Sequence, residues 1–212
     1  MKLTDAIKEK GCPFNVPDCG RDQLPEFFKE MNFKVGAEIG VYKGQFTEKF
    51  CQKGLKMYAI DNWLVYQVAG KTYHTQERQD FLYEKTKKRL AAYNDCTVVR
   101  KNSMDAVADF EPESLDFVYL DSDHIFRGIA DDIYEWYSKV RKGGVISGHD
   151  YAYTGTDPKA SNSYYTFCHV GPVVDAFIKA FKIENFYVFG RSKPPEEEQK
   201  DDMYLSFMFF KP

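Results

Sequence analysis

From Val35 onward the chain alternates between short apolar runs and longer segments whose apolar residues recur every three or four positions. Short runs ending in Gly or a polar residue read as strands, and the 3.6-residue spacing reads as helix. Residues 35–41 form the first strand and run into a Gly turn. A helix over Gln45–Gln52 follows, closed by Gly54. Lys56–Asp61 is the second strand; residues 62–75 read as a loop and residues 76–93 as a charged helix. Cys96–Arg100 is the third strand, residues 103–109 a short helix, and residues 115–121 the fourth strand. Ile125, Ile129, Ile133, Trp136 and Val140 then form one stripe of a helix. Gly143-Gly144 turns the chain into a fifth strand, residues 145–148. A helix from Pro172 buries Val173, Val174, Phe177, Ile178 and Phe181, and two apolar runs, residues 186–189 and 203–210, flank an acidic loop.

Alternating strands and helices predict an α/β fold: a Rossmann-like, doubly wound, mostly parallel seven-stranded sheet with helices on both faces. The link before the last strand has no room for a helical crossover, so that strand is antiparallel. Residues 1–34 lack the alternation. They read as an N-terminal helical extension: a short helix, a Pro/Cys/Gly loop and a helix over residues 24–31, covering the pocket of a domain at 35–212.

Composition narrows the classes. At 212 residues the chain is about one domain long. Aromatic residues are 17% of it, too many for a disordered chain. Lys and Arg number 29 against 32 Asp and Glu, so no positive field draws the chain to nucleic acid. No apolar window is long enough for a membrane span and no signal peptide is visible. The five cysteines, Cys12, Cys19, Cys51, Cys96 and Cys168, are scattered, which argues against a disulfide framework or zinc knuckle. The expectation is a cytoplasmic protein acting on a small molecule, with no nucleic-acid or membrane partner and a homodimer left open.

In an open parallel sheet, ligands bind beyond the C-terminal strand ends. Those ends carry Glu38 and Gly40, Asp61, Asn102 and Ser103, Asp121, Asp123 and His124, and His149 and Asp150. Gly40 and Gly44 let the backbone approach a ligand and enter a helix tightly. Asp61 can accept both ribose hydroxyls, or cap a turn. Asp121-Ser122-Asp123-His124 and His149-Asp150 can form a divalent metal site, a general base for a hydroxyl acceptor, or a buried polar network.

Together these motifs resemble the class I S-adenosylmethionine-dependent methyltransferases, over about residues 35–212 with the core in 35–151. Glu38 to Gly44 is similar to their E-x-G-x-x-x-G motif. Asp121 to His124, with Asp131-Asp132, Trp136, Gly143-Gly144 and His149-Asp150, is similar to the D-G-D-H…G-G…H-D pattern of small-molecule and sugar O-methyltransferases. The resemblance implies S-adenosylmethionine as cofactor, bound by Glu38, Gly40, Gly44, Asp61, Asn102, Ser103 and Asp121. It also implies a base among Asp123, His124 and His149, and a divalent metal, where one is used, on Asp121, His149 and Asp150. The expected reaction is O-methylation of a sugar-like or aryl hydroxyl. The alternatives are a nicotinamide-dependent oxidoreductase, which lacks its third glycine here, and a catalytically inactive cofactor-binding or assembly module. Two Tyr-rich segments, 62–75 (Trp63, Tyr66, Tyr73, His74) and 151–170 (Tyr151, Tyr153, Tyr164, Tyr165, Phe167, His169), are expected to form the acceptor pocket or to pack onto the domain.

Overall fold

A computed structural model describes residues 1–68, 71–152, 168–190 and 205–212. In chain order the elements are α1 (Leu3–Ala6), β1 (Gly11–Val16), a 3-10 turn at Arg21–Gln23, α2 (Leu24–Glu30), β2 (Val35–Ile39), α3 (Gln45–Gln52) and β3 (Lys56–Asp61). A small hairpin, β4 (Tyr66–Val68) and β5 (Lys71–Tyr73), precedes α4 (Gln76–Leu90) and β6 (Cys96–Arg100). Then come α5 (Ser103–Ala106), a 3-10 turn at Val107–Asp109, β7 (Leu115–Leu120), α6 (Phe126–Lys139), β8 (Val140–Gly148), α7 (Val170–Ala180), β9 (Asn185–Phe189) and β10 (Ser206–Phe210).

The main sheet runs β1-β9-β10-β8-β7-β2-β3-β6. β10 lies antiparallel between β8 and β9, and the other neighbours are parallel. The Rossmann-like expectation and its antiparallel last strand are thus borne out. The strand count is corrected from seven to eight. Residues 11–16, read as loop, pair with β9 at the sheet edge. Gly11 and Pro13 break the alternation that would have shown a strand, and an edge position tolerates Pro.

Layers of rings and aliphatic chains cover both faces. On one, Ile129, Ile133 and Trp136 of α6 and Val174 and Phe177 of α7 pack on Ile39, Val118 and Ile146. On the other, Phe27 and Phe28 of α2 and Phe46 and Phe50 of α3 pack on Phe117, Tyr119 and Met208. Phe28 and Phe117 rings lie 4.2 Å apart. Gly36 makes room for this layer, since a Cβ there would sit 2.2 Å from the Phe117 ring. Phe181, expected in the core, is exposed at the end of α7 but stacks on Phe177 at 4.1 Å.

The chain leaves β2 for β3 and β6 on one side, then returns to β7 on the other. This reversal opens a crevice at the C-terminal ends of β2 and β7. Gly40, at φ +90°, stands there; a Cβ on it would lie 2.2 Å from the Asp121 carbonyl oxygen. No helix of the described residues is long and apolar enough to cross a membrane.

Candidate active site

A cleft of about 650 Å³ opens over these strand ends. That is within the usual range for sites that hold a small organic ligand. Of the residues expected to bind a cofactor, Gly40, Asp61, Asn102, Ser103 and Asp121 line it. Asp123 and His124 line it too.

Asp61 ends β3 with both carboxylate oxygens held from below. Oδ2 accepts the Tyr42 N–H at 2.9 Å and Oδ1 accepts the Trp63 N–H at 2.8 Å. Burial raises its pKa, opposed by these backbone N–H groups. The residue lines the cleft.

Asn102 and Ser103 follow β6. Asn102 Oδ1 accepts from Asn62 Nδ2 at 2.9 Å. The Ser103 hydroxyl accepts from the Trp136 indole at 2.8 Å and donates to Asp132, to which the Ser122 hydroxyl also donates. Asp132 is 3% exposed and its pKa is raised, chiefly by burial. One carboxylate thus ties the ends of β6 and β7 to α6. Sequence reasoning gave it no role, although it stands one turn from Ile129 and Trp136 on the apolar stripe.

Asp121, after β7, lies at the centre. Its Oδ2 accepts from Arg21 Nη1 at 3.1 Å, and its Oδ1 is 3.7 Å from His124 Nε2. His124 Nε2 lies 3.0 Å from Asp150 Oδ2. Burial alone would lower the His124 pKa, but Asp121 and Asp150 outweigh it and push it up to about 10. Asp150 moves the other way: burial would raise it, and the two imidazoles of His124 and His149 hold it low. Arg21 was missed in the sequence because it sits in an aperiodic turn, 100 residues from Asp121.

Of the remaining expected site residues, Glu38, Gly44 and His149 are not on the cleft wall, whereas Asp123 is. Glu38 is 2% exposed, accepts from the Thr47 hydroxyl, and is not on the cleft wall. Burial is the main cause that lifts its pKa to about 8. Gly44 starts α3 at φ +71°, where a Cβ would press on Thr86 at 2.9 Å; its place is in helix packing. Asp123 Oδ1 caps the turn into α6 by accepting the Ile125 N–H at 2.9 Å. His149 is buried, with Nδ1 3.3 Å from Asp150 Oδ1, and does not line the cleft.

The Tyr-rich segments divide. Tyr66 and His74 line the cleft with Tyr42, whose ring stacks on His74 at 6.3 Å. Trp63 is buried against Leu82 and Leu90, and its indole donates to the Tyr42 carbonyl at 3.0 Å. Tyr151 is buried and donates to Asp175 at 2.7 Å. His169 Nδ1 accepts the Phe126 N–H at 3.2 Å. Tyr153, Tyr164, Tyr165 and Phe167, and the Tyr73 side chain, lie outside the described residues.

Among the described residues, one group of three donors lies within 4.8 Å: Asp121, His124 and Asp150. His124 takes the position the sequence reading gave to His149. Two carboxylates and an imidazole suit a divalent ion by donor type. The charge does not suit it, because Arg21 already neutralises Asp121 and His124 already bridges both acids.

Comparison with known proteins places this arrangement. Residues 37–151, more than half of the chain, match the family model of a methyltransferase domain. The chain belongs to that family, and its class is that of the class I S-adenosylmethionine-dependent methyltransferases. The fold is similar to that of a Staphylococcus aureus protein provisionally assigned as a caffeoyl-CoA O-methyltransferase (TM-score 0.64, 14% identity, 92% of this chain and 86% of that one). It is similar to an O-methyltransferase from Bacillus cereus in complex with SAH (TM-score 0.59, 13% identity, 90% and 80% covered). The N-methyltransferase NodS from Bradyrhizobium japonicum WM9 shares it too (TM-score 0.57, 13% identity, 91% and 94% covered). In sequence the chain is 26% identical over 124 residues to the uncharacterized protein y4gI of Sinorhizobium fredii. That match takes in 53% of this chain and only 12% of the relative. The family membership displaces the nicotinamide reading. Asp121 and His124 open on one cleft with Asp150 behind them, which the inactive-module reading did not expect.

Proposed function

We propose that the chain transfers the methyl group of S-adenosylmethionine to a hydroxyl oxygen of a small polar acceptor, sugar-like or aryl. The observation that carries this reading is one cleft with Asp61 on one wall and the Asp121–His124–Asp150 array on another. Bound S-adenosylmethionine supplies an electrophilic methyl on a sulfonium. Asp61, on the cleft wall, would take the ribose hydroxyls. Asn102 and Ser103 would border the adenine. Asp121, paired with Arg21, would stand beside the positive sulfonium. Alignment of acceptor and methyl is where such a site gains most of its rate, about 7–11 kcal/mol in well-oriented systems.

A hydroxyl acceptor must lose a proton. We assign that proton to His124, which lines the cleft, with Asp150 beside its Nε2 to orient the imidazole as an acid orients a catalytic histidine. Asp123 Oδ1 is engaged by the Ile125 N–H in the turn before α6, and His149 faces Asp150 behind the cleft. Tyr42, Tyr66 and His74 offer ring faces for an acceptor to stack on. Transfer of labelled methyl from S-adenosylmethionine to a panel of catechols, sugars and primary amines tests this reading. Label in a catechol or sugar hydroxyl supports it; label confined to the amines refutes the oxygen acceptor.

A further inference from the structure

We propose that Arg21 takes the place of a divalent ion at the ends of β7 and β8, so that the chain's methyl transfer needs no metal. The guanidinium holds Asp121 Oδ2 at 3.1 Å, and Asp121 is one of the three donors that could ligate an ion. Arg21 offsets one of the two carboxylate charges that such an ion would need. Affinity for a hard dication follows the number of ligand charges, and a fixed cation beside the site repels a second one.

Arg21 is not a wandering surface side chain. It stands in the 3-10 turn that leads into α2, and α2 is clamped to the sheet by Leu24, Phe27 and Phe28, all buried. Its guanidinium lies over the Phe46 ring, 5.2 Å from the centroid, and 3.4 Å from the Tyr119 hydroxyl oxygen. The next residue, Asp22, pairs with Lys49 of α3 at 2.5 Å. The charge is therefore pre-positioned by the packing of residues 19–30, and moving it off Asp121 requires that segment to shift. Arg21 lies before the matched methyltransferase region, so the segment completes the electrostatics of a site built by the rest of the chain. Arg21 acts as a positioning residue, through Asp121.

Only the activity arm of the test rests on the methyltransferase reading. Binding of Mn²⁺, followed by loss of its free-ion paramagnetic resonance signal, is measured on the full chain. The wild type, Arg21→Met, Arg21→Lys and the double variant Arg21→Met/His124→Ala are compared, with folding checked by circular dichroism. The wild type and Arg21→Lys are expected to leave equimolar Mn²⁺ free. Arg21→Met is expected to bind one Mn²⁺ at least about tenfold more tightly than the wild type, and the double variant to lose that gain. Wild-type methyl transfer is expected to survive EDTA. Tight Mn²⁺ binding by the wild type overturns the proposal, as does loss of activity on chelation. A folded Arg21→Met that binds no tighter than the wild type overturns it as well. If no methyl transfer is found with any acceptor, the function reading fails while the Mn²⁺ data still decide the role of Arg21.

Discussion

His124 Nε2 lies 3.0 Å from Asp150 Oδ2 inside a pocket that leaves the histidine side chain 12% exposed. Burial works against the charged imidazole, yet the paired carboxylates hold its proton up to about pH 10. At neutral pH the residue is an imidazolium, and the fraction able to accept a proton grows about tenfold per pH unit until that value. The wild-type kcat/KM should therefore climb through the range 7 to 9 and level near 10. His124→Gln should lose that rise and about 10²–10⁴ of the rate. A rise that persists in His124→Gln would assign it to ionisation of the acceptor instead.

Stability should fall with pH in two stages. Glu38 holds its proton to about 8 in the folded chain against an ordinary 4.5, so the folded state binds this proton more tightly. Its contribution is present below about 4.5 and is lost as pH rises through 8. The His124 contribution is present below its ordinary 6.5 and is lost as pH rises toward 10. Glu38→Gln mimics the protonated acid and keeps an acceptor for Thr47. Thermal melts at pH 5 and 8.5 should show a clear drop in the wild type and a smaller one, left by His124, in Glu38→Gln. Equal drops would mean that Glu38 does not titrate in this range.

Asp132→Ala strands two hydroxyls, Ser103 and Ser122, at the cleft wall and leaves the indole of Trp136 attached to an unanchored serine. The expected loss is about 1–3 kcal/mol in urea unfolding, the cost of unsatisfied buried groups. The apparent affinity for S-adenosylhomocysteine should drop alongside it, because the same two serines border the cleft. Unchanged affinity with lowered stability would detach Asp132 from the binding surface.

Two aromatic residues three positions apart, Trp63 and Tyr66, should behave oppositely. Trp63→Ala removes a buried ring packed on Leu82 and Tyr83, with an expected cost of about 3–5 kcal/mol. Tyr66 is 41% exposed on the cleft, so Tyr66→Ala should leave unfolding within roughly 0.5 kcal/mol of the wild type. The effect of Tyr66→Ala should fall on the acceptor's KM. An unaltered KM with every methyl acceptor would remove Tyr66 from the acceptor pocket.

Much of the fold was legible because burial on both faces leaves strands no polar side, and because α6 repeats its stripe without a break. β1 was hidden by Gly11 and Pro13, whose backbone demands mask the alternation, and by an edge position that leaves half of its residues exposed. In the site, Asp61, Asp121 and His124 were visible as polar ends of apolar strands. Asp132 could have been found as an acid on an apolar helix face. Arg21 could not, since a turn carries no period and the pairing spans 100 residues. Glu38 and His149 stand at motif positions near strand ends, but the fold buries both away from the cleft wall. Trp63 went to the acceptor loop on composition, and only the fold shows that its indole packs that loop down.

Calorimetric titration of the chain with S-adenosylhomocysteine, beside an Asp61→Ala variant, tests the central claim most directly. One site per chain with a micromolar Kd, weakened at least about tenfold in Asp61→Ala, is the predicted result. No binding of either S-adenosylhomocysteine or S-adenosylmethionine to the folded wild type would contradict the account.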